Sequence, residues 1–379
     1  MIVVAGRALR KGPIPRSSRS SQYTQGVASR LRFAANKLSM STFAASLGSD
    51  VAEGGRFKSM NWGENAGRVK KVGELSAVTF NMLAPCYKRL AERDLLGRNR
   101  READVDWRER ADETLTFFEG QLLQDFQIVS LQEFWLQDEY QKQFKRLVSR
   151  LGYSLHTLRR HPTRKEDAVA TMVQTSVFHV KSYDNIFLCS TSDRVALVLW
   201  LEHRETKKNI IVANTHLSFP HSARDMDNQM SQMKFLLQAI DNFATSKCGC
   251  PEATRIVMGD FNVESSSEVC DLLRLGGYRS CIDTSPPPIV RGDDKVSRRF
   301  VSHRTHRHED LGVDHIFFKP ETFPLSADEG IARKHGSFFA ADSVVLPQTS
   351  PCTAWDENFS ISDHRPVGTK LIIGQQKDL

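Results

Sequence analysis

Apolar and polar positions follow two regimes along this chain. From Gly73 onward, short β-branched runs alternate with longer stretches whose apolar residues recur every three to four positions. Two of these runs, Asn209–Leu217 and Arg255–Asn262, predict strands buried on both faces, and all of them predict strands. They lie at Leu75–Phe80, Ile128–Leu131, Tyr153–Leu158, Ala168–Val173, Val177–Tyr183, Arg194–Leu201, Asn209–Leu217, Arg255–Asn262, Val313–Phe318, Ser337–Leu346 and Val367–Ile373. Helical spacing predicts helices over Asp106–Gln124, where Trp107, Ala111, Leu115, Phe118 and Leu122 form one stripe, and over Asp138–Leu151, Met230–Phe243 and Ser266–Leu275. Gly276-Gly277 is a stop signal for the last of these. Short connections from Tyr153 to Leu201 predict antiparallel pairing there, and the helix between Leu217 and Arg255 suits a crossover. Leu90–Asp104 is dense in charge and reads as exposed.

The strands share a second property. Each of several ends in an oxygen or imidazole donor: Asn81, Glu133, Asn214 and His216, Asp260 and Asn262. Another carries Asp314, and Asp363 and His364 precede the last. Single polar residues at strand ends commonly do no more than start turns. Repeated at this many ends, they are the means of building a site on a rigid scaffold.

Composition adds limits. The 379 residues carry a net charge of +7, with 40% hydrophobic and 26% charged residues, which is ordinary globular usage. Before Asp50 there are eight Lys and Arg and no Asp or Glu, so residues 1–71 read as a basic tail. Two expectations remain for it: a disordered tail, or an organellar transit peptide for chloroplast or mitochondrion. A disordered tail leaves the cytoplasm or nucleus as the compartment. Seven scattered Cys predict reduced thiols rather than a disulfide scaffold. No apolar run approaches the roughly 20 residues a membrane-spanning helix needs. Arg298–His308 is rich in cations and is a candidate phosphate-facing rim.

Carboxylates and amides are hard ligands that suit Mg²⁺, with Mn²⁺ as the alternative, better than zinc. Mg²⁺ is usually held by one or two carboxylates together with substrate phosphate. The donor set therefore points to metal-assisted attack of water on a phosphoester. No Gly-rich phosphate cradle and no Gly-x-Ser-x-Gly elbow is present.

Six motifs in order, Thr79-Phe-Asn81, Leu131-Gln-Glu133, Asn214-Thr-His-Leu217, Gly259-Asp-Phe-Asn262, Val313-Asp-His-Ile316 and Ser362-Asp-His-Arg-Pro-Val367, resemble the endonuclease/exonuclease/phosphatase superfamily. Thr-Phe-Asn-Met-Leu-Ala-Pro and Ser-Asp-His-Arg-Pro-Val look most like its carbon-catabolite-repressor deadenylase and nocturnin branch. That branch often has Gly-Asp-Gly where this chain has Glu166-Asp167-Ala168. The resemblance implies an α/β fold over residues 72–376: a four-layer α/β/β/α sandwich of two packed, mixed, largely antiparallel sheets, like deoxyribonuclease I. It implies Glu133 as the principal Mg²⁺ ligand, with Asn81 and Asp363 at the metal site. It implies that Asp260 activates water and that Asp314 orients His364. It also implies that Asn262, His216 and Asn214 serve the substrate phosphate. The implied substrate is RNA, cut by a poly(A)-type 3′–5′ exonuclease, or a small phosphorylated nucleotide such as NADPH. A sphingomyelinase-like activity and an inactive binding module are the remaining alternatives.

Overall fold

The computed structural model describes residues 69–160, 165–188, 193–284, 300–320, 336–348 and 351–376. The basic tail expected over residues 1–71 lies outside them, except for its last three residues, which begin the first strand.

Four strands come first: β1 (Val69–Asn81), β2 (Ile128–Trp135), β3 (Tyr153–Arg159) and β4 (Asp167–Gln174). Six more follow: β5 (Phe178–Phe187), β6 (Val195–His203), β7 (Asn209–His216), β8 (Thr254–Asp260), β9 (Arg279–Ser280) and β10 (Asp314–Lys319). The chain then returns with β11 (Gly336–Val345) and β12 (Val367–Gln376). One six-stranded sheet has the order β11-β12-β1-β2-β4-β3, the other β9-β10-β8-β7-β6-β5. Every pairing is antiparallel except one near the centre of each sheet: β1 with β2, and β7 with β8. A parallel pair needs a crossover, which is why each is bridged by a helical segment. Those segments are α1 (Arg108–Phe117), which runs on through a wider turn toward Asp125, and α3 (Ala223–Ser246).

Alternation along the strands builds the layers. Leu75 and Ala77 of β1, Ile210 and Val212 of β7, and Ile256 and Met258 of β8 meet between the sheets. The intervening Val78 and Phe80 face α1 and α2 (Asp138–Arg150), with Phe118 and Phe144 in the same outer core. On the other sheet Ile211, Ala213 and Val257 pack with Met233, Leu236 and Ile240 of α3 and Val269 of α4 (Glu268–Leu275). The result is the expected four-layer α/β/β/α sandwich. Local signals set the helix ends. Gln137 accepts the Tyr140 N–H at the start of α2, the Ser267 hydroxyl accepts the Cys270 N–H at the start of α4, and Gly277 takes positive φ (82°) beyond its end.

Leu90–Asp104 is largely exposed, as expected, with one buried residue. Arg89–Arg93 pairs with Asn99–Arg101 in a small ribbon, and Glu102 behind it is buried against Arg110. Arg110 also donates to the carbonyls of Met82, Leu83 and Ile361, which ties the loop after β1 to the loop before Asp363. The described cysteines are all free thiols, as expected.

The parallel contact of β7 with β8 depends on one glycine. Gly259 has φ +149°, and a Cβ there would lie 1.8 Å from the Thr215 carbonyl oxygen. Gly259→Ala is expected to lower stability by about 3 kcal/mol or more, since strain and a backbone clash combine. Urea unfolding measures this, and a change under about 1 kcal/mol would show that the strands can part without penalty.

Candidate active site

The two parallel pairs point their C-terminal ends at one another across the sandwich. From the first sheet come Asn81, at the end of β1, and Glu133 of β2. From the second come His216 and Asp260, aligned at the ends of β7 and β8. Asp314, the first residue of β10, stands opposite Asp260 in the antiparallel register. Asn81 Nδ2 donates to Asp260 Oδ2 at 3.0 Å, so the sheets are joined by a hydrogen bond inside the site itself.

Asp260 is the hub. Its Oδ2 lies 3.4 Å from His216 Nε2 and 3.8 Å from His364 Nε2, and its Oδ1 accepts the Asn262 backbone N–H at 2.9 Å. His364 donates Nδ1–H to Asp314 Oδ2 at 2.8 Å. The Ser302 hydroxyl donates to the same oxygen at 2.7 Å, and it accepts the N–H groups of Val313 and Asp314. Ser362 locks the other side, accepting the His364 N–H and donating to the Asn81 carbonyl. His303 stacks on the His364 ring with centroids 4.1 Å apart and donates Nδ1–H to the Asp363 carbonyl.

These contacts set the charges. Burial alone would pull the His364 imidazole down, but Asp314 and Asp260 outweigh it and hold the ring up at about 10. His216 and His303 go the other way. Burial, then Arg194 and Arg160, keep His216 neutral; burial and the neighbouring His364 lower His303 to about 4. Burial raises the Asp260 carboxyl while His364 opposes it. The site therefore pairs one cationic imidazole with a buried carboxylate.

Glu133 owes its position to a bulge. The β2–β4 register shifts between Leu131 and Phe134, and Glu133 adopts φ +55°. Its Oε2 accepts the Ala84 N–H at 3.2 Å. Burial, then Asp167 and Asp363, push its carboxyl up to about 7. Asp363 Oδ1 is buried with no hydrogen-bond partner. Gathered carboxylates, one raised and one with an orphaned oxygen, fit a divalent cation. Glu133 and Asp363 would hold it, with Asn81 close by through Asp260. Among the described residues, the groups whose ligand atoms lie within 4.8 Å of one another are His303–Asp363–His364 and Asp260–Asp314–His364; Asp363 belongs to one of them and Glu133 to neither. Because a metal must displace the Glu133 proton, its affinity is expected to fall about tenfold per pH unit below about pH 7. Calorimetric titration with Mg²⁺ from about pH 6 to about pH 8 measures this, and a flat profile would remove Glu133 from the ligand set.

Of the expected phosphate contacts, Asn214 is placed differently and Asn262 keeps a donor. Asn214 is fully enclosed between the sheets: its carbonyl accepts from Gln132, and its amide donates to the Leu131 and Ala170 carbonyls. It has no N–H left for a phosphate and instead clamps β7 to the first sheet. Asn262, at φ +54°, spends one amide hydrogen on the Leu217 carbonyl and keeps one. The expected basic rim also resolves differently. Arg304 is tied to Asp310 and Glu357, His303 joins the site, and Arg298 and Arg299 lie outside the described residues.

Some site residues carried no motif. Ser302 and His303 were hidden in that basic stretch. Arg194 lies close enough to His216, Asp260 and Glu133 to be electrostatically coupled to each, and Asp167 holds Arg160 and accepts the Tyr87 hydroxyl.

The Endonuclease/Exonuclease/phosphatase family model matches residues 78–364, the span that holds every residue of this hub. The chain belongs to the endonuclease/exonuclease/phosphatase family. In its hub the chain brings together the carboxylate, amide and imidazole donors that hydrolysis of a phosphoester bond would require. It is 28% identical over 255 residues to an uncharacterized calcium-binding protein of Arabidopsis thaliana, covering 64% of this chain and 50% of that one. It is 24% identical over 299 residues to the CCR4-Not complex 3′-5′-exoribonuclease subunit Ccr4 of Candida albicans, covering 67% and 35%. The chain thus spans half or less of the length of these curated relatives. The human nocturnin catalytic domain with bound sulfate superposes with a TM-score of 0.54 and 20% identity, over 80% of this chain and 96% of that one. The last two are members of the branch its motifs resemble.

Proposed function

We propose that this family member is a Mg²⁺-dependent 3′–5′ exoribonuclease with poly(A) as substrate, Mn²⁺ serving as an alternative ion. The observation that carries the reading is the hub, where Asp260 reaches Asn81, His216, Asn262 and His364 at once. Likeness to the Ccr4 subunit supports the choice of RNA.

Asp260 orients the attacking water and takes its proton. The water oxygen bonds to phosphorus, and the bond from phosphorus to the 3′ oxygen breaks. That oxygen takes up a proton from solvent as Asp260 returns the one it accepted, so the shortened strand keeps a 3′ hydroxyl. His364, kept charged by Asp314, faces the charge that develops on the phosphate. His216 is neutral, so it offers this phosphate a hydrogen bond without adding a second cation. The free N–H of Asn262 completes the cradle. Glu133 and Asp363 would hold a divalent ion, which would supply Lewis-acid neutralisation of the phosphate.

The test is a panel of oligo(A), NADPH and sphingomyelin offered to the purified chain with Mg²⁺. Oligo(A) is expected to shorten from its 3′ end with release of AMP, and Glu133→Ala is expected to abolish this. Cleavage of NADPH or sphingomyelin in place of oligo(A) would overturn the RNA assignment. Turnover by Glu133→Ala in the presence of chelator would overturn the metal mechanism.

A further inference from the structure

Two loops that frame the metal donors meet on one buried arginine. Arg110 belongs to α1, in the outer helical layer, and its side chain is enclosed together with that of Glu102. A guanidinium carries five N–H groups in a fixed fork. Here every one of them is used. Nε is shared between the two Glu102 oxygens at 3.0 Å each. Nη1 donates to the Met82 carbonyl at 3.0 Å and to the Ile361 carbonyl at 2.8 Å. Nη2 donates to the Leu83 carbonyl at 2.7 Å and to Glu102 Oε2. A lysine has three donors on a single nitrogen, so it does not span the same set.

The carbonyls that Arg110 holds belong to backbone with a task. Leu83 has φ +50°, a left-handed conformation that a leucine keeps only where its surroundings impose it. Its N–H is held by Asn81 Oδ1 at 3.1 Å and its carbonyl by Arg110. That conformation presents the next N–H, of Ala84, to Glu133 Oε2. It also fixes the Asn81 amide, whose Nδ2 reaches Asp260. Ile361 lies two residues before Asp363, and Ser362 adds a second tie by donating to the Asn81 carbonyl. Glu133 and Asp363 are thus spaced by a group that is neither of them.

We propose that Arg110 is a positioning residue for the divalent ion. By clamping the Met82, Leu83 and Ile361 carbonyls, it sets the separation of Glu133 and Asp363 and with it the affinity of the site. The proposal rests on the assignment of those two carboxylates to the ion and deepens it. Groups that orient metal ligands from behind typically carry about ten- to a hundredfold in affinity.

Calorimetric titration of the purified chain with Mg²⁺ tests this. Arg110→Lys keeps a charge opposite Glu102 but loses the fork. It is expected to raise the Mg²⁺ dissociation constant by about tenfold or more. Raised Mg²⁺ is expected to restore most of its kcat, because no reacting group has changed. Phe144→Leu, in the same outer core, is the control for loosened packing: it is expected to melt earlier with unchanged Mg²⁺ affinity. Glu102→Gln leaves the fork in place but loosens its aim. It is expected to weaken binding several-fold, and it carries the test if Arg110→Lys does not fold. An affinity within about twofold of the parent, or an equal loss in Phe144→Leu, overturns the proposal. If Glu133→Ala abolishes binding while Arg110→Lys binds like the parent, the positioning role fails alone. If the parent binds no Mg²⁺, or Glu133→Ala binds it unchanged, the ion assignment fails and takes the positioning role with it.

Discussion

Asp260→Asn is expected to lower kcat by on the order of 10³, with little change in KM, because it removes both the base and the anion of a preorganised site. The substitution is nearly isosteric, so packing is preserved while the charge goes. His364 then loses a carboxylate 3.8 Å from Nε2, and His216 loses one at 3.4 Å. Asn81 Nδ2, which now donates to Oδ2 at 3.0 Å, meets either an amide oxygen or an amide N–H. Steady-state kinetics on whichever substrate the panel identifies would measure the loss, with a thermal melt to show that the fold survives. Activity within about tenfold of the parent would mean that Asp260 is a structural tie between sheets and not a chemical group.

Asp314→Asn should act through the histidine. Asp314 touches no substrate; it accepts Nδ1–H from His364 at 2.8 Å and is itself held by Ser302. Losing that carboxylate in a comparable Ser-His-Asp arrangement reduces kcat by about 10⁴, and a loss of about 10³ is expected here, since Asp260 remains. The pH profile separates this role from a merely structural one. In the parent, His364 stays protonated until the pH nears about 10, so activity that needs its charge falls only there. In Asp314→Asn the alkaline limb is expected to move down, toward the ordinary imidazole value of about 6.5. An unmoved limb would assign the charge to another group. The same shift has a stability counterpart. A histidine raised in the folded state stabilises fully below about pH 6.5 and loses that contribution as the pH rises through its folded value. The parent is therefore expected to melt at lower temperature near pH 10 than near neutrality, and Asp314→Asn to show less of that slope.

Most of the scaffold was legible because each central strand carries an uninterrupted apolar run. Such a run has no reading other than burial on both faces, and Ile210–Ala213 and Ile256–Met258 are buried that way. The stations of Asn81, His216 and Asp260 were legible for the same reason: a polar donor at the end of a buried strand can only emerge at the rim. Sheet membership was not legible. Gln174 and Phe178 are separated by three residues, yet β4 and β5 belong to different sheets. A turn that short suits a hairpin equally well, and only the closing of the inter-sheet core decides between them.

The site shows a parallel limit. Glu133 was expected at a strand end, whereas β2 continues to Trp135; the bulge and the φ of +55°, not strand alternation, set its direction. Asn214 has the same residue type as Asn81 but lies two residues inside its strand end, where it faces inward and is consumed by Gln132 and two carbonyls. Side-chain chemistry alone does not distinguish the two. Arg160 and Arg194 had no periodicity or motif to mark them, because their meaning lies in the carboxylates that other segments bring to them.

The two sides of the site belong to two sheets sharing one continuous apolar interior. A hinge between them would have to pull that interior apart, so neither side swings over a bound molecule. Grip on the substrate must come from groups already in place before it arrives. Selectivity is then decided by what projects from the rim, and exchanging rim segments between relatives should transfer substrate preference while leaving the reacting floor intact.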